Sequence, residues 1–177
     1  MDARQPLPRF WLMTDERQGE GLFAAIDRLP LRQSGIVFRH YSVPEDWRHV
    51  LFRRVRAMAL RDRQLLLLAG PAEQAIAWKA DGSHGRGPGE GLRSAPAHDA
   101  RELREAERDG ADLVFLSPVY RTRSHPGAIP LGPARFGSLC RRTRLPVIAL
   151  GGVNAMRAPP LIARGAYGWG GIDAWGG

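Results

Sequence analysis

Eight short strand-like runs, most of them apolar and followed by a stretch with helical spacing, constrain the fold of this chain. The runs occupy residues 10–13, 36–38, 65–68, 81–84, 92–95, 113–116, 147–150 and 167–172. Strands that alternate with helices pair in parallel, and eight such units are the number that closes a (β/α)8 barrel. We therefore predict a compact α/β TIM barrel, one domain over residues 1–177. Because 177 residues are few for this fold, some helices should be short or missing. An open doubly wound sheet is the alternative.

Local signals predict where several helices and loops begin. Ser42-Val-Pro-Glu45 has the form of a capping box ahead of a helix, and His98 or Asp99 can cap a helix that runs to Arg108. Asn154 can cap another helix over residues 154–164. The glycine-rich residues 85–91 should form a loop, whose degree of order the sequence leaves open.

The net charge of +8 raises the question of a nucleic-acid partner. Lys79 is the only lysine, and the arginines lie scattered among acids, as in residues 101–108. We interpret this pattern as a solvated arginine-rich surface, and we keep a basic nucleic-acid-binding protein as an alternative. Lone Cys140 excludes an intrachain disulfide, and no apolar stretch approaches the length of a membrane span. We expect a cytoplasmic protein without a membrane partner, and a homodimer is one of the states left open.

Two segments lie near the C-terminus, at residues 117–127 and 145–154. In each, an apolar run stops abruptly at glycine, proline or hydroxyl residues. Gly151 and Gly152 follow a buried run, so their backbone N–H groups are available to an anion. The sequence predicts a phosphate-bearing ligand here, at the carboxyl ends of the parallel strands. A tight turn without a ligand would use the same glycines.

Six segments in sequence order carry a family resemblance. They read FWLMTD (10–15), FR (38–39), ADGSH (80–84), GADLVFLSPVY (110–120), TRSHPG (122–127) and PVIALGGV (146–153). Together they resemble the thiamine-phosphate synthase and thiazole tautomerase superfamily, whose fold is a (β/α)8 barrel. The resemblance implies a synthase reaction that joins an aminopyrimidine diphosphate to a thiazole phosphate with Mg²⁺. It also implies a second activity, a proton shift on a thiazole carboxylate phosphate.

The resemblance implies that the metal half of the synthase site is lost. Synthases place a lysine two residues after the arginine that corresponds to Arg39, and this chain has Tyr41 there. Their Asn-Asp pair after the third strand corresponds to Ala69-Gly70, which offer no carboxylate or amide side chain to a cation. We therefore expect no metal ligands and no Mg²⁺ cofactor.

The thiazole-phosphate half is better matched. The resemblance places Arg39, Thr122 and Ser124 on the ligand, with backbone N–H groups from Gly151, Gly152 and Ile172. An imidazole suits proton transfer because its ordinary pKa is near neutral. The candidate acid/base residues are His125 first, His40 second and His98 third.

The expected function is binding of a thiazole phosphate or similar small phosphate, in relation to thiamine biosynthesis. The sequence leaves open whether the protein is an enzyme. As an enzyme it would be a synthase-type transferase or a tautomerase-like isomerase. The alternative is a non-catalytic phosphate-binding or regulatory barrel.

Overall fold

Eight parallel strands close into a barrel in the computed structural model, which describes residues 6–123 and 126–176. The strands are β1 (Phe10–Met13), β2 (Ser34–Phe38), β3 (Leu65–Ala69), β4 (Gly82–His84), β5 (Leu92–Ala97), β6 (Leu113–Leu116), β7 (Val147–Ala149) and β8 (Gly168–Gly171). Each strand pairs with the next along the chain, and β8 pairs with β1. The prediction of a (β/α)8 barrel is confirmed, and the open doubly wound sheet is wrong because the sheet has no free edge.

Short helices cover the outside of the barrel. In the described part of the chain they are α1 (Gly21–Asp27), α2 (Glu45–Asp62), α3 (Ala72–Ala77), α4 (Ala100–Arg108), α5 (Gly132–Cys140) and α6 (Pro159–Ile162), with a 3₁₀ turn at Glu16–Gln18. Residues 85–91 form a loop without helix or strand, as expected. The guanidinium of Arg93 donates to the carbonyls of Gly87 and Asp109, so this loop is tied to the end of α4. None of the described helices is long and apolar enough to cross a membrane.

The helix-start predictions had different outcomes. Asp99 caps α4, since one carboxylate oxygen accepts from the N–H groups of Arg101 and Glu102. The capping box at residues 42–45 is wrong, because α2 begins after Pro44 without any side-chain cap. The helix predicted over residues 154–164 is present only as a shorter segment, because it does not begin at Asn154. Asn154 closes a turn instead, and α6 follows with four residues.

Large side chains fill the barrel interior. Trp11 is fully buried, its indole N–H donates to the carbonyl of Pro8 at 2.9 Å, and its ring meets Phe115 edge-on. Gly35 on the neighbouring strand makes room for this indole, because a Cβ there would lie 2.4 Å from the Trp11 ring. Burial of one such side chain stabilises the fold by roughly 1.5–3 kcal/mol. Because side chains fill the interior, a ligand can be accommodated only at the ends of the barrel.

Candidate functional site

A cavity of about 460 Å³ opens at the carboxyl ends of the strands. Met13, His84 and Phe115 contribute to its wall from the strand ends, and loops supply the rest. Five of the residues predicted to touch the ligand line it, namely Arg39, Thr122, Gly151, Gly152 and Ile172. Residues from the ends of β2, β6, β7 and β8 therefore meet around one space.

Gly151 and Gly152 form a sharp turn after β7. Their φ angles are +87° and +62°, which favour glycine. A Cβ on Gly151 would lie 2.7 Å from Pro118, and one on Gly152 would lie 2.5 Å from the carbonyl oxygen of Arg121. The turn thus requires glycine whether or not a ligand binds.

The same turn presents backbone donors. The N–H groups of Gly151, Gly152 and Ile172 donate to no acceptor within residues 6–123 and 126–176. The carbonyl of Ile172, in contrast, accepts from the side-chain amide of Gln18 at 3.0 Å. Because the three residues line the cavity, their N–H groups can serve an anion there.

Arg39 is held in place at the cavity wall. Its Nε donates to the carbonyl of Thr14 at 2.8 Å, and its terminal nitrogen donates to the Asp15 carboxylate at 2.8 Å. Hydrogen bonds from Arg17, together with the charge of Arg39, keep the pKa of Asp15 below its ordinary value. Asp15 therefore stays ionised and orients Arg39, while part of the arginine charge remains available to the cavity.

The loop after β6 adds two further cations, Arg121 and Arg123, beside Thr122. Arg123 reaches across to Asp173, which follows β8, with 3.0 Å between guanidinium nitrogen and carboxylate oxygen. Two predicted residues of this loop, Ser124 and His125, lie outside the described residues.

His40 does not join the other predicted residues. Its backbone has a φ of 43°, and its ring stacks on Phe38 with 4.8 Å between centroids. Nδ1 lies 2.9 Å from the Thr14 hydroxyl, the residue is 4% exposed, and it is not part of the cavity wall. Burial lowers the pKa of His40. These contacts give it a packing role, and we do not retain it as an acid/base candidate.

His98 was ranked behind His125 and His40, yet it lines the cavity. Its Nδ1 lies 2.8 Å from a carboxylate oxygen of Glu102, and Arg86 bonds the other oxygen at 2.8 Å. Although burial opposes it, the hydrogen bonds from His98 and Arg86 lower the pKa of Glu102. An ionised carboxylate that orients an imidazole is a common acid/base arrangement. The i, i+4 spacing at the start of the predicted helix was the signal that could have raised this rank.

His84, which the sequence singled out only within the ADGSH segment, also lines the cavity. Nδ1 lies 2.9 Å from the Ser94 hydroxyl, and that hydroxyl donates to the carbonyl of Ser83 at 3.4 Å. Burial lowers the pKa of His84 to about 4. The imidazole is therefore neutral near pH 7.

The ends of β3 and β4 do not fit a divalent cation. Ala69 and Gly70 stand there, and the carbonyl of Ala69 accepts from the guanidinium of Arg48 at 2.7 Å. The adjoining cavity of about 480 Å³ has Glu73 as the one carboxylate among its described lining residues. Within the described residues, no group of three His, Cys, Asp or Glu side chains could hold a metal. Mg²⁺ prefers several oxygen ligands, which this donor set lacks.

In comparisons with known proteins, a family model, curated sequences and a solved structure all match this chain, and their names agree with one another. A sequence model described as "Thiamine monophosphate synthase" matches residues 94–174. "Putative thiamine-phosphate synthase 2" of Aquifex aeolicus (strain VF5) is 30% identical over 94% of this chain and 97% of its own length. "Thiamine-phosphate synthase" of Salinispora arenicola (strain CNS-205) is 29% identical over 92% of this chain and 86% of its own length. "Thiamine phosphate pyrophosphorylase" of Pyrococcus furiosus, a solved structure, shares the fold. Its TM-score is 0.80 at 21% identity, over 96% of this chain and 88% of the other.

Proposed function

This chain belongs to the thiamine-phosphate synthase family, and from that premise we propose that it binds a thiazole phosphate at the carboxyl end of its barrel. Family membership relates the protein to thiamine biosynthesis. The observation that carries the proposal is the donor set around the 460 Å³ cavity. The unpartnered N–H groups of Gly151, Gly152 and Ile172 share this cavity with the cations Arg39 and Arg121.

Backbone donors and guanidinium groups suit a phosphate for different reasons. The N–H groups of a turn form a concave donor surface, and an arginine fork matches two phosphate oxygens. The buried Phe115 and the Met13 side chain give the cavity an apolar part as well. A small ligand with a phosphate at one end and an apolar ring at the other fits this division.

Isothermal titration with inorganic phosphate and a thiazole phosphate tests the proposal. We expect Arg121→Gln to weaken the binding of both by tenfold or more, because one charge-assisted contact contributes roughly 1.5–3 kcal/mol. Arg61→Gln is the matched control, since Arg61 pairs with Asp27 and Asp62 on the surface. A thiazole alcohol that binds as tightly as its phosphate would contradict the proposal. Equal effects of the two arginine variants would also contradict it.

We derive no metal-dependent step for this chain, because the residues at the ends of β3 and β4 do not fit Mg²⁺. The synthase reaction releases diphosphate, whose charge a bound cation normally neutralises. We expect thiamine phosphate formation in the presence of Mg²⁺ to be weak or absent. Formation at the rate of a metal-dependent relative measured beside it would refute this expectation.

A second candidate function, a proton shift on a thiazole carboxylate phosphate, is favoured by the pairing of His98 with Glu102. His98 lines the cavity and can exchange a proton through Nε2, while Glu102 fixes the ring orientation. Incubation of the thiazole carboxylate phosphate in deuterated water, followed by mass spectrometry of that compound, detects the exchange. We expect His98→Gln to abolish it and His49→Gln, a histidine stacked on Trp78, to leave it unchanged. Binding without exchange in the unaltered protein would instead favour the non-catalytic alternative.

A further inference from the structure

Asp173 is the one carboxylate among the described residues that line the 460 Å³ cavity, and three arginines surround the same space. We propose that Asp173 is an internal anion that competes with the phosphate of the ligand for Arg123, and so sets the affinity and charge selectivity of the site. The inference rests on the proposed function, because it concerns the phosphate end of that same ligand.

The geometry places Asp173 beside the phosphate donors. It directly follows Ile172, whose N–H group is unpartnered within the described chain, and its carboxylate lies 3.0 Å from Arg123. Arg123 comes from the loop after β6 and Asp173 from the segment after β8. The ion pair therefore joins two sides of the cavity.

The ion pair between Arg123 and Asp173 can open at little cost in free energy. The side chains of Arg123 and Asp173 are 80% and 54% exposed, and ion pairs in water are weak. An incoming phosphate can take the guanidinium from Asp173 without breaking a buried contact. The same carboxylate repels the phosphate, because two like charges then share one site. The repulsion is larger for a dianion than for a monoanion.

The experiment compares Asp173→Asn with the intact protein by titration with inorganic phosphate and with methanesulfonate, a monoanion. We expect the variant to bind phosphate about tenfold tighter and methanesulfonate only about threefold tighter. Asp62→Asn is the matched control, because it removes the same charge from a surface pair with Arg61. We expect it to change phosphate affinity by less than twofold. Arg123→Gln should weaken phosphate binding, and in that background Asp173→Asn should gain less than tenfold.

The outcomes separate this inference from the proposed function. If the intact protein binds phosphate with the expected dependence on Arg121 and Asp173→Asn changes nothing, the inference is wrong and the proposed function stands. An equal gain in phosphate affinity in Asp62→Asn also overturns the inference, because the gain would then come from the change in net charge and not from the position of Asp173. If no variant binds phosphate, both are wrong. Tighter phosphate binding in Asp173→Asn alone supports the inference.

Discussion

Gly151→Ala probes the turn on which the proposed site depends. The φ angle of Gly151 is +87°, and an added Cβ would lie 2.7 Å from Cα and Cβ of Pro118. Gly87 is a close control, since its φ is +84° and an added Cβ meets nothing within 4 Å. The two substitutions share the backbone strain, and only Gly151→Ala adds an overlap with the loop after β6.

The structure sets the size of both effects. A left-handed conformation costs a non-glycine residue roughly 1–2 kcal/mol, so Gly87→Ala should lower the free energy of unfolding by about 1 kcal/mol. Overpacking adds roughly 1–3 kcal/mol, because Pro118 must move, and Gly151→Ala should therefore lose about 3 kcal/mol. Displacement of the turn also removes a donor to the ligand. One charge-assisted hydrogen bond of roughly 1.5–3 kcal/mol corresponds to about a tenfold or greater loss of phosphate affinity.

Urea unfolding followed by tryptophan fluorescence gives the free energy of unfolding, and isothermal titration gives the phosphate affinity. We expect Gly87→Ala to bind phosphate like the intact protein. The reasoning fails if the two variants are equally stable. It also fails if Gly151→Ala retains full phosphate affinity, because the turn would then not carry the ligand.

Two further predictions concern stability. Burial lowers the pKa of His84 from 6.5 to about 4, so between these values the unfolded chain binds a proton that the folded chain does not. The free energy of unfolding should therefore fall by up to about 3 kcal/mol as the pH drops from 6.5 to 4. His84→Gln should flatten this part of a urea-unfolding series, and an unchanged slope would refute the assignment. Gly35→Ala should lower the free energy of unfolding by about 3 kcal/mol, because its Cβ would lie 2.4 Å from the Trp11 ring. Gly21→Ala, with nothing within 4 Å, should be neutral in the same assay, and equal stability of the two variants would count against the packing argument.

The local pattern of residues was sufficient for the strands and for the Gly151-Gly152 turn in the cavity wall. A strand can be predicted from neighbouring residues alone, because an apolar run of the right length bounded by glycine or proline indicates it. Parallel strands bring their carboxyl ends together, so the residues that follow them meet. On that basis the pattern predicts Gly151 and Gly152 at this edge, whereas Arg39, Thr122 and Ile172 were expected there from the family resemblance; all five line the cavity. α6 is shorter than the helix predicted over residues 154–164, because Asn154 closes a turn in which its side chain accepts from the N–H of Arg157.

The sequence by itself determined that eight strands alternate with helices, and with it the edge of the barrel at which the cavity opens. Only the tertiary structure decided which side chains face the cavity. His40 follows Arg39 by one position, yet its left-handed backbone turns the ring onto Phe38 and Thr14. His84 faces the cavity, and its Nδ1 lies 2.9 Å from the Ser94 hydroxyl on the neighbouring strand. The reason is physical, because the direction, burial and charge of a side chain depend on neighbours that lie far away along the chain.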